Sequence, residues 1–85
     1  MKNIEQLMKA LANRRRIEIV RYIYKNKKIT VGEIAQHIKL SFKSTSRHLT
    51  ILKSAEIIEG EQISLSVFYS LREPVHPIVK ILIVD

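Results

Sequence analysis

Lys43, Ser46, Arg47, Thr50 and Lys53 recur within Leu40–Lys53 at a spacing that gathers them on one side of a helix. That side carries hydroxyls and cations and no carboxylate, whereas a merely solvated face mixes both signs. Donors of this kind suit a nucleic acid. Hydroxyls and ammonium groups bind phosphate oxygens, and a guanidinium can grip O6 and N7 of a guanine together. Arg47 is the candidate for the guanine contact, with Lys43 and Ser46 beside it near the base edges. Ser41, Ser44 and Thr50 are the candidates for phosphate. The opposite face of the same stretch, Phe42, Thr45, Leu49 and Leu52, has the period of a helix seated on a core. Ser41 stands just before it, where a hydroxyl accepts the orphan N–H groups of a first turn. Phe42 is expected to pack into the turn, the alternative being contact with a thymine methyl.

Such a helix needs a scaffold, and the preceding residues supply one. Val31, Ile34, Ala35 and Ile38 repeat at i, i+3, i+4, i+7, and Thr30 with Glu33 forms a capping box that fixes where this helix begins. Only Lys39, Leu40 and Ser41 separate the two helices, which together read as a helix-turn-helix over about 31–54. Upstream, Ile4, Leu7, Met8 and Leu11 predict a first helix with Asn3 as its cap. Asn13 then caps a second, which runs to about Lys25 with Ile17, Ile19, Val20, Ile23 and Tyr24 inward. Arg14, Arg15 and Arg16 open that second helix against its macrodipole, which points to a phosphate use for Arg14 and Arg15. Lys27 and Lys28 are further backbone candidates in a polar turn, and Ile29–Val31 predicts a brief strand. After Ala55 the pattern becomes extended. Ile57-Ile58 and Val67–Leu71 predict a hairpin over about 57–71, with Gly60 and Gln62–Ser66 between its strands. Ile63 and Leu65 are expected to pack back on it. The tail, 74–85, is apolar, and Val75, Ile78, Val79 and Leu82 predict a helix opened by Pro74 or Pro77. Its many β-branched residues keep a terminal strand open as the alternative.

Composition narrows the function. Eighty-five residues make one domain with one modest core, so association with a twin would add stability. The net charge of +7 is uneven: residues 1–53 carry +10 and residues 54–85 carry −3. That asymmetry implies a polyanion partner, and double-stranded DNA fits it best. Cysteine is absent, which removes disulfides, thiolate metal sites and thiol nucleophiles. No glycine-rich phosphate loop and no close carboxylate pair with a histidine base is present, so an enzyme is not expected. No apolar run would span a bilayer and the N-terminus lacks a secretion signal, so the expectation is a cytoplasmic protein without membrane contact.

The run Leu40–Leu52, with Ser46-Arg47-His48-Leu49 at its centre, resembles the recognition helix of the ArsR/SmtB family of winged-helix repressors. The likeness extends to Leu7–Asn13 ahead of Arg16-Ile17, and to Val67–Leu71 after it. It implies a mainly α winged helix-turn-helix with a small β-hairpin. It also implies a homodimer that reads an imperfect palindrome and, in many members, releases it on binding a ligand. The dimer would form through the first and last helices (3–12 and 74–85), with Ile4, Leu7, Met8, Val75, Ile78, Val79 and Leu82 at the interface. Several positions depart from the family. Arg14 stands where proline is usual, and Glu56 where a glycine closes the recognition helix. The hairpin tip, Glu59–Leu65, is acidic and apolar where relatives carry cations. The family's thiolate site has no counterpart, since 32–38 offers only Glu33 and His37, and His76 with Glu73 and Asp85 does not match the spacing of its second site. No metal or other cofactor is therefore expected, His37 and His48 are read as structural, and any effector is unassigned. A winged helix serving protein contact in a larger assembly is the competing reading, suggested by the acidic hairpin and the apolar tail.

Overall fold

Capping groups decide where most of the helices begin. The computed structural model describes residues 4–84, so the Asn3 cap and Asp85 lie outside the described residues. The order is α1 (Ile4–Leu11), α2 (Arg14–Asn26), β1 (Ile29–Thr30), α3 (Val31–Ile38), α4 (Phe42–Ser54), β2 (Ile58–Ile63), β3 (Ser66–Leu71) and α5 (Pro77–Ile83). Asn13 Oδ1 accepts the Arg16 N–H at 3.1 Å and starts α2. Thr30 and Glu33 close a reciprocal capping box at α3: the Thr30 N–H donates to Glu33 Oε1 at 3.0 Å and the Glu33 N–H to Thr30 Oγ1 at 3.3 Å. Bonds from the Thr30 backbone and hydroxyl hold the Glu33 carboxyl below its ordinary pKa.

The three strands form one antiparallel sheet in the order β1-β3-β2, with Ile29 opposite Tyr69 and Gly60 also opposite Tyr69. The strands of the hairpin are longer and its turn tighter than the sequence predicts. Gly60 lies inside β2, paired with Tyr69, and a Cβ there would come within 3.1 Å of the Tyr69 ring and 3.2 Å of Val67. Ile63 pairs with Ser66, leaving Ser64-Leu65 as a two-residue turn in which Ser64 takes a φ of 58°. Leu65, expected to pack back, is 96% exposed at the tip, and Ile63 is also exposed. A two-residue turn leaves nothing beneath them to pack on.

The core gathers Ile19, Val20 and Ile23 of α2, Ile34 and Ile38 of α3, and Leu49 and Leu52 of α4. Ile57, Ile58 and Leu71 close it from the sheet side. Tyr24, expected inward, is exposed instead. Two residues assigned to the dimer contact, Leu7 and Val79, are buried in the chain's own core, and Val75, Ile78 and Leu82 are partly buried against it. A domain this small needs both terminal helices to cover its own apolar faces. The tail is a helix rather than a strand, because Pro77 occupies its first turn and His76 Nδ1 accepts the Ile78 N–H at 3.1 Å. Arg21 anchors its end by donating to the Leu82 carbonyl at 2.6 Å. Ile4, Met8, Ile81 and Val84 remain as exposed apolar side chains of the terminal segments.

α4 ends as a glycine would end it, although the residue is glutamate. Glu56 adopts a φ of 61°, its N–H donates to the Lys53 carbonyl at 3.0 Å, and the Ile57 N–H donates to the Leu52 carbonyl at 3.0 Å. Those two bonds form the Schellman arrangement, in which a side chain is strained. Packing of Ile57 and Ile58 into the core holds the turn in place despite the strain. Glu56→Gly is therefore expected to raise stability by about 1 kcal/mol in chemical denaturation, the relieved left-handed penalty less the entropy of the added glycine.

Candidate nucleic-acid interface

α3 and α4 are joined by a turn that has no glycine. Lys39 supplies the left-handed residue instead, with φ 59° and ψ 45°, and the Leu40 N–H donates to the Ala35 carbonyl at 3.1 Å. Ser41 Oγ then accepts the Ser44 N–H at 3.0 Å and opens α4. A hydroxyl that accepts at a cap keeps its own hydrogen to donate, so Ser41 can still meet a phosphate. Thr45, Leu49 and Leu52 are buried and turn the helix so that Lys43, Ser44 and Arg47 face outward. Ser46 is half-buried at the edge of that face. Lys43 and Arg47 make no hydrogen bond or ion pair among the described residues, so both are free to meet an anion.

Thr50 and Lys53 continue the exposed row into the second half of α4. Thr50 lies beside Gln6 of α1, and its hydroxyl donates to the Ser46 carbonyl at 3.0 Å. Its hydrogen is thus committed to the helix, which leaves Ser41, Ser44 and the half-buried Ser46 as the hydroxyls that can donate outward. Phe42 departs most from expectation. It does not pack into the turn but is 63% exposed, because a first-turn position projects beyond the body that covers the later turns. Periodicity alone assigns it inward.

The arginine cluster divides into separate jobs. Arg14 is exposed and makes no hydrogen bond or ion pair among the described residues, so it remains available for a phosphate. Arg15 donates to the Ile38 carbonyl at 2.7 Å and lies 3.4 Å from Glu18, clamping the C-terminal end of α3. One nitrogen of the guanidinium expected at a phosphate is thus engaged within its own chain. Arg16 donates to the Ala10 carbonyl at 2.6 Å and the Lys9 carbonyl at 3.3 Å, satisfying the last turn of α1. It also lies 3.2 Å from His48 Nδ1, tying α2 to α4. Burial, with Arg16, Arg15 and Arg47 nearby, lowers the His48 pKa, which favours the uncharged imidazole. Lys28, another phosphate candidate, pairs with Glu61 of β2 at 2.8 Å, so the acidic hairpin meets a cation of its own chain. Lys27 is exposed at the end of α2, with φ 68° and ψ −55°. Lys39 adds an exposed cation in the helix-turn-helix turn that the sequence reading did not select.

One buried group on α4 is unsatisfied. Thr45 is fully buried, and its hydroxyl has no hydrogen-bond partner. Thr45→Val keeps the shape and removes the orphaned group, and it is expected to raise stability by about 1–2 kcal/mol without changing the outward face. Thermal unfolding read alongside DNA binding checks both halves of that statement. Among the described residues no three histidine, aspartate or glutamate side chains come together as a metal site, and no helix is long and apolar enough to cross a membrane.

Comparison with known proteins agrees with this geometry. The model of the "bacterial regulatory protein, arsR family" matches residues 13–59. The transcriptional repressor PagR of Bacillus anthracis is 32% identical over 78 residues, 91% of this chain and 78% of PagR. Its crystal structure superposes with a TM-score of 0.79, covering 92% of this chain and 90% of that one. The transcriptional activator HlyU of Vibrio cholerae is 34% identical over 65 residues, 76% of this chain and 59% of HlyU. A homodimeric winged helix-turn-helix DNA-binding domain from Mycobacterium bovis, described as a possible ArsR-family regulator, matches with a TM-score of 0.79 at 25% identity, over 94% of this chain and 70% of that one. The competing reading of a protein-contact module in a larger assembly is not favoured by these relatives. With over half its length matched by the family model and the winged helix-turn-helix in place, the chain belongs to the arsR family of DNA-binding transcriptional regulators.

Proposed function

We propose that this regulator is a homodimeric repressor that places the first half of α4 from each copy in successive major grooves of an imperfect palindrome. One observation carries the reading: Lys43, Ser44 and Arg47 stand outward without a carboxylate among them, on a helix whose other face is locked into the core. Arg47 reads guanine, Lys43 and Ser46 lie against the neighbouring base edges, and Ser41, Ser44, Arg14 and Lys27 hold phosphates. Arg15, Lys28 and Thr50 support the scaffold instead, given the partners described above.

Residues 1–85 act as one domain, in the cytoplasm where the operator is, with no cofactor needed for binding. The exposed Ile4, Met8 and Ile81 supply the surface on which the twin sits, and the homodimeric Mycobacterium bovis relative supports that arrangement. Repression is preferred to activation because two of the relatives, PagR of Bacillus anthracis and SdpR of Bacillus subtilis, are described as transcriptional repressors.

Selection from random duplexes followed by footprinting tests the reading. Two protected half-sites centred about 10–10.5 base pairs apart are expected. A reporter carrying that site across its promoter should fall in expression when the protein is supplied. Protection of a single half-site would exclude the palindrome, and a rise in expression would exclude repression.

A further inference from the structure

Phe42 has no structural use that explains its exposure. It is the first residue of α4, it is 63% exposed, and it stands among Ser41, Lys43 and Ser44, all exposed polar groups. A large aromatic ring left in water contributes little to folding, and a polar side chain would serve a solvated first turn as well. Its place matters, however. The N-terminal residues of a recognition helix are those that reach the base edges. Ser46 follows Phe42 by four residues, so the ring lies over the same strip of helix as a proposed base-reading side chain. In the major groove the apolar feature on offer is the C5-methyl of a pyrimidine, and an apolar side chain recognises it by excluding water from both.

We propose that Phe42 is a specificity-determining residue that reads a pyrimidine C5-methyl group in the major groove. The inference rests on the DNA-binding reading of α4 and adds to it a hydrophobic contact beside the polar ones. In unmodified DNA the methyl is that of thymine, and in methylated DNA 5-methylcytosine presents it at the same place. The fold does not depend on the contact, so its loss should show in base preference and leave the unfolding curve in place.

The test uses the full chain and the duplex recovered by selection, with each thymine replaced in turn by deoxyuridine, which removes only the methyl. At one thymine per half-site the wild type is expected to bind the uracil duplex roughly three- to fivefold more weakly, the effect of burying one methyl group. Phe42→Ala should bind both duplexes equally, and Phe42→Leu, which keeps an apolar contact, should retain part of the discrimination. A second pair of duplexes carries cytosine or 5-methylcytosine at that position. A gain on methylation that Phe42→Ala abolishes supports recognition of the methyl from either source, whereas a gain confined to thymine assigns it to thymine alone. Equal binding of thymine and uracil duplexes by the wild type overturns the inference while leaving α4 as the reading helix. Unchanged discrimination in Phe42→Ala does the same. Failure to recover any preferred duplex overturns the DNA-reading of α4 and this inference with it.

Discussion

Arg47→Ala is expected to lower affinity for the selected operator by roughly 10²–10⁴-fold while leaving the unfolding midpoint unchanged. The magnitude is that of two bidentate arginine–guanine contacts, one in each half-site, at about 1–3 kcal/mol each. The unchanged midpoint follows from the side chain's position: Arg47 is exposed and makes no hydrogen bond or ion pair among the described residues. Removing it therefore takes nothing from the core. Binding to unrelated DNA should weaken much less, since only one cation per subunit among many is lost. The two losses are separable in a titration at several salt concentrations. A drop of equal size on every sequence would make Arg47 a phosphate contact rather than a base contact.

The second large effect belongs to the twin surface. Met8→Glu combined with Ile81→Glu is expected to give a folded monomer whose operator affinity falls about 10²–10⁴-fold. Ile81 is 72% exposed and Met8 is also exposed, so each glutamate remains in water in the isolated chain, and folding is kept. Burying two carboxylates per subunit in an apolar contact is costly, which drives the pair apart. Each half-site must then be bound separately, and the advantage of joining two weak sites in one molecule disappears. Sedimentation gives the mass and circular dichroism the folding. A variant that remains dimeric would place the twin contact elsewhere than on these side chains.

What could be read directly from the chain was local. The Thr30–Glu33 box and the Ser41 cap each join residues three apart, so spacing was enough to place α3 and α4. The outward row of Lys43 and Arg47 follows from the buried period of Thr45, Leu49 and Leu52. The roles of Arg15, Arg16 and Lys28 were hidden because their partners Ile38, His48 and Glu61 lie far along the chain. No local pattern distinguishes a cation that clamps a distant carbonyl from one that awaits a phosphate. Phe42 was assigned inward because periodicity treats the helix as evenly covered along its length, and the first turn is not. Sequence assigns Leu7 and Val79 to a twin because an apolar stripe looks the same whether its own chain or a second copy covers it. Glu56 shows the converse, with tertiary packing imposing a conformation that its residue type disfavours.

Methylation interference on the selected operator tests the placement of α4 most directly, because the methyl group on guanine N7 projects into the major groove. Methylation should block the wild-type protein at one guanine in each half-site, the two lying about one helical turn apart, and Arg47→Ala should lose that pattern. Binding that tolerates methylation at every guanine, or a pattern that survives the loss of Arg47, would contradict the assignment.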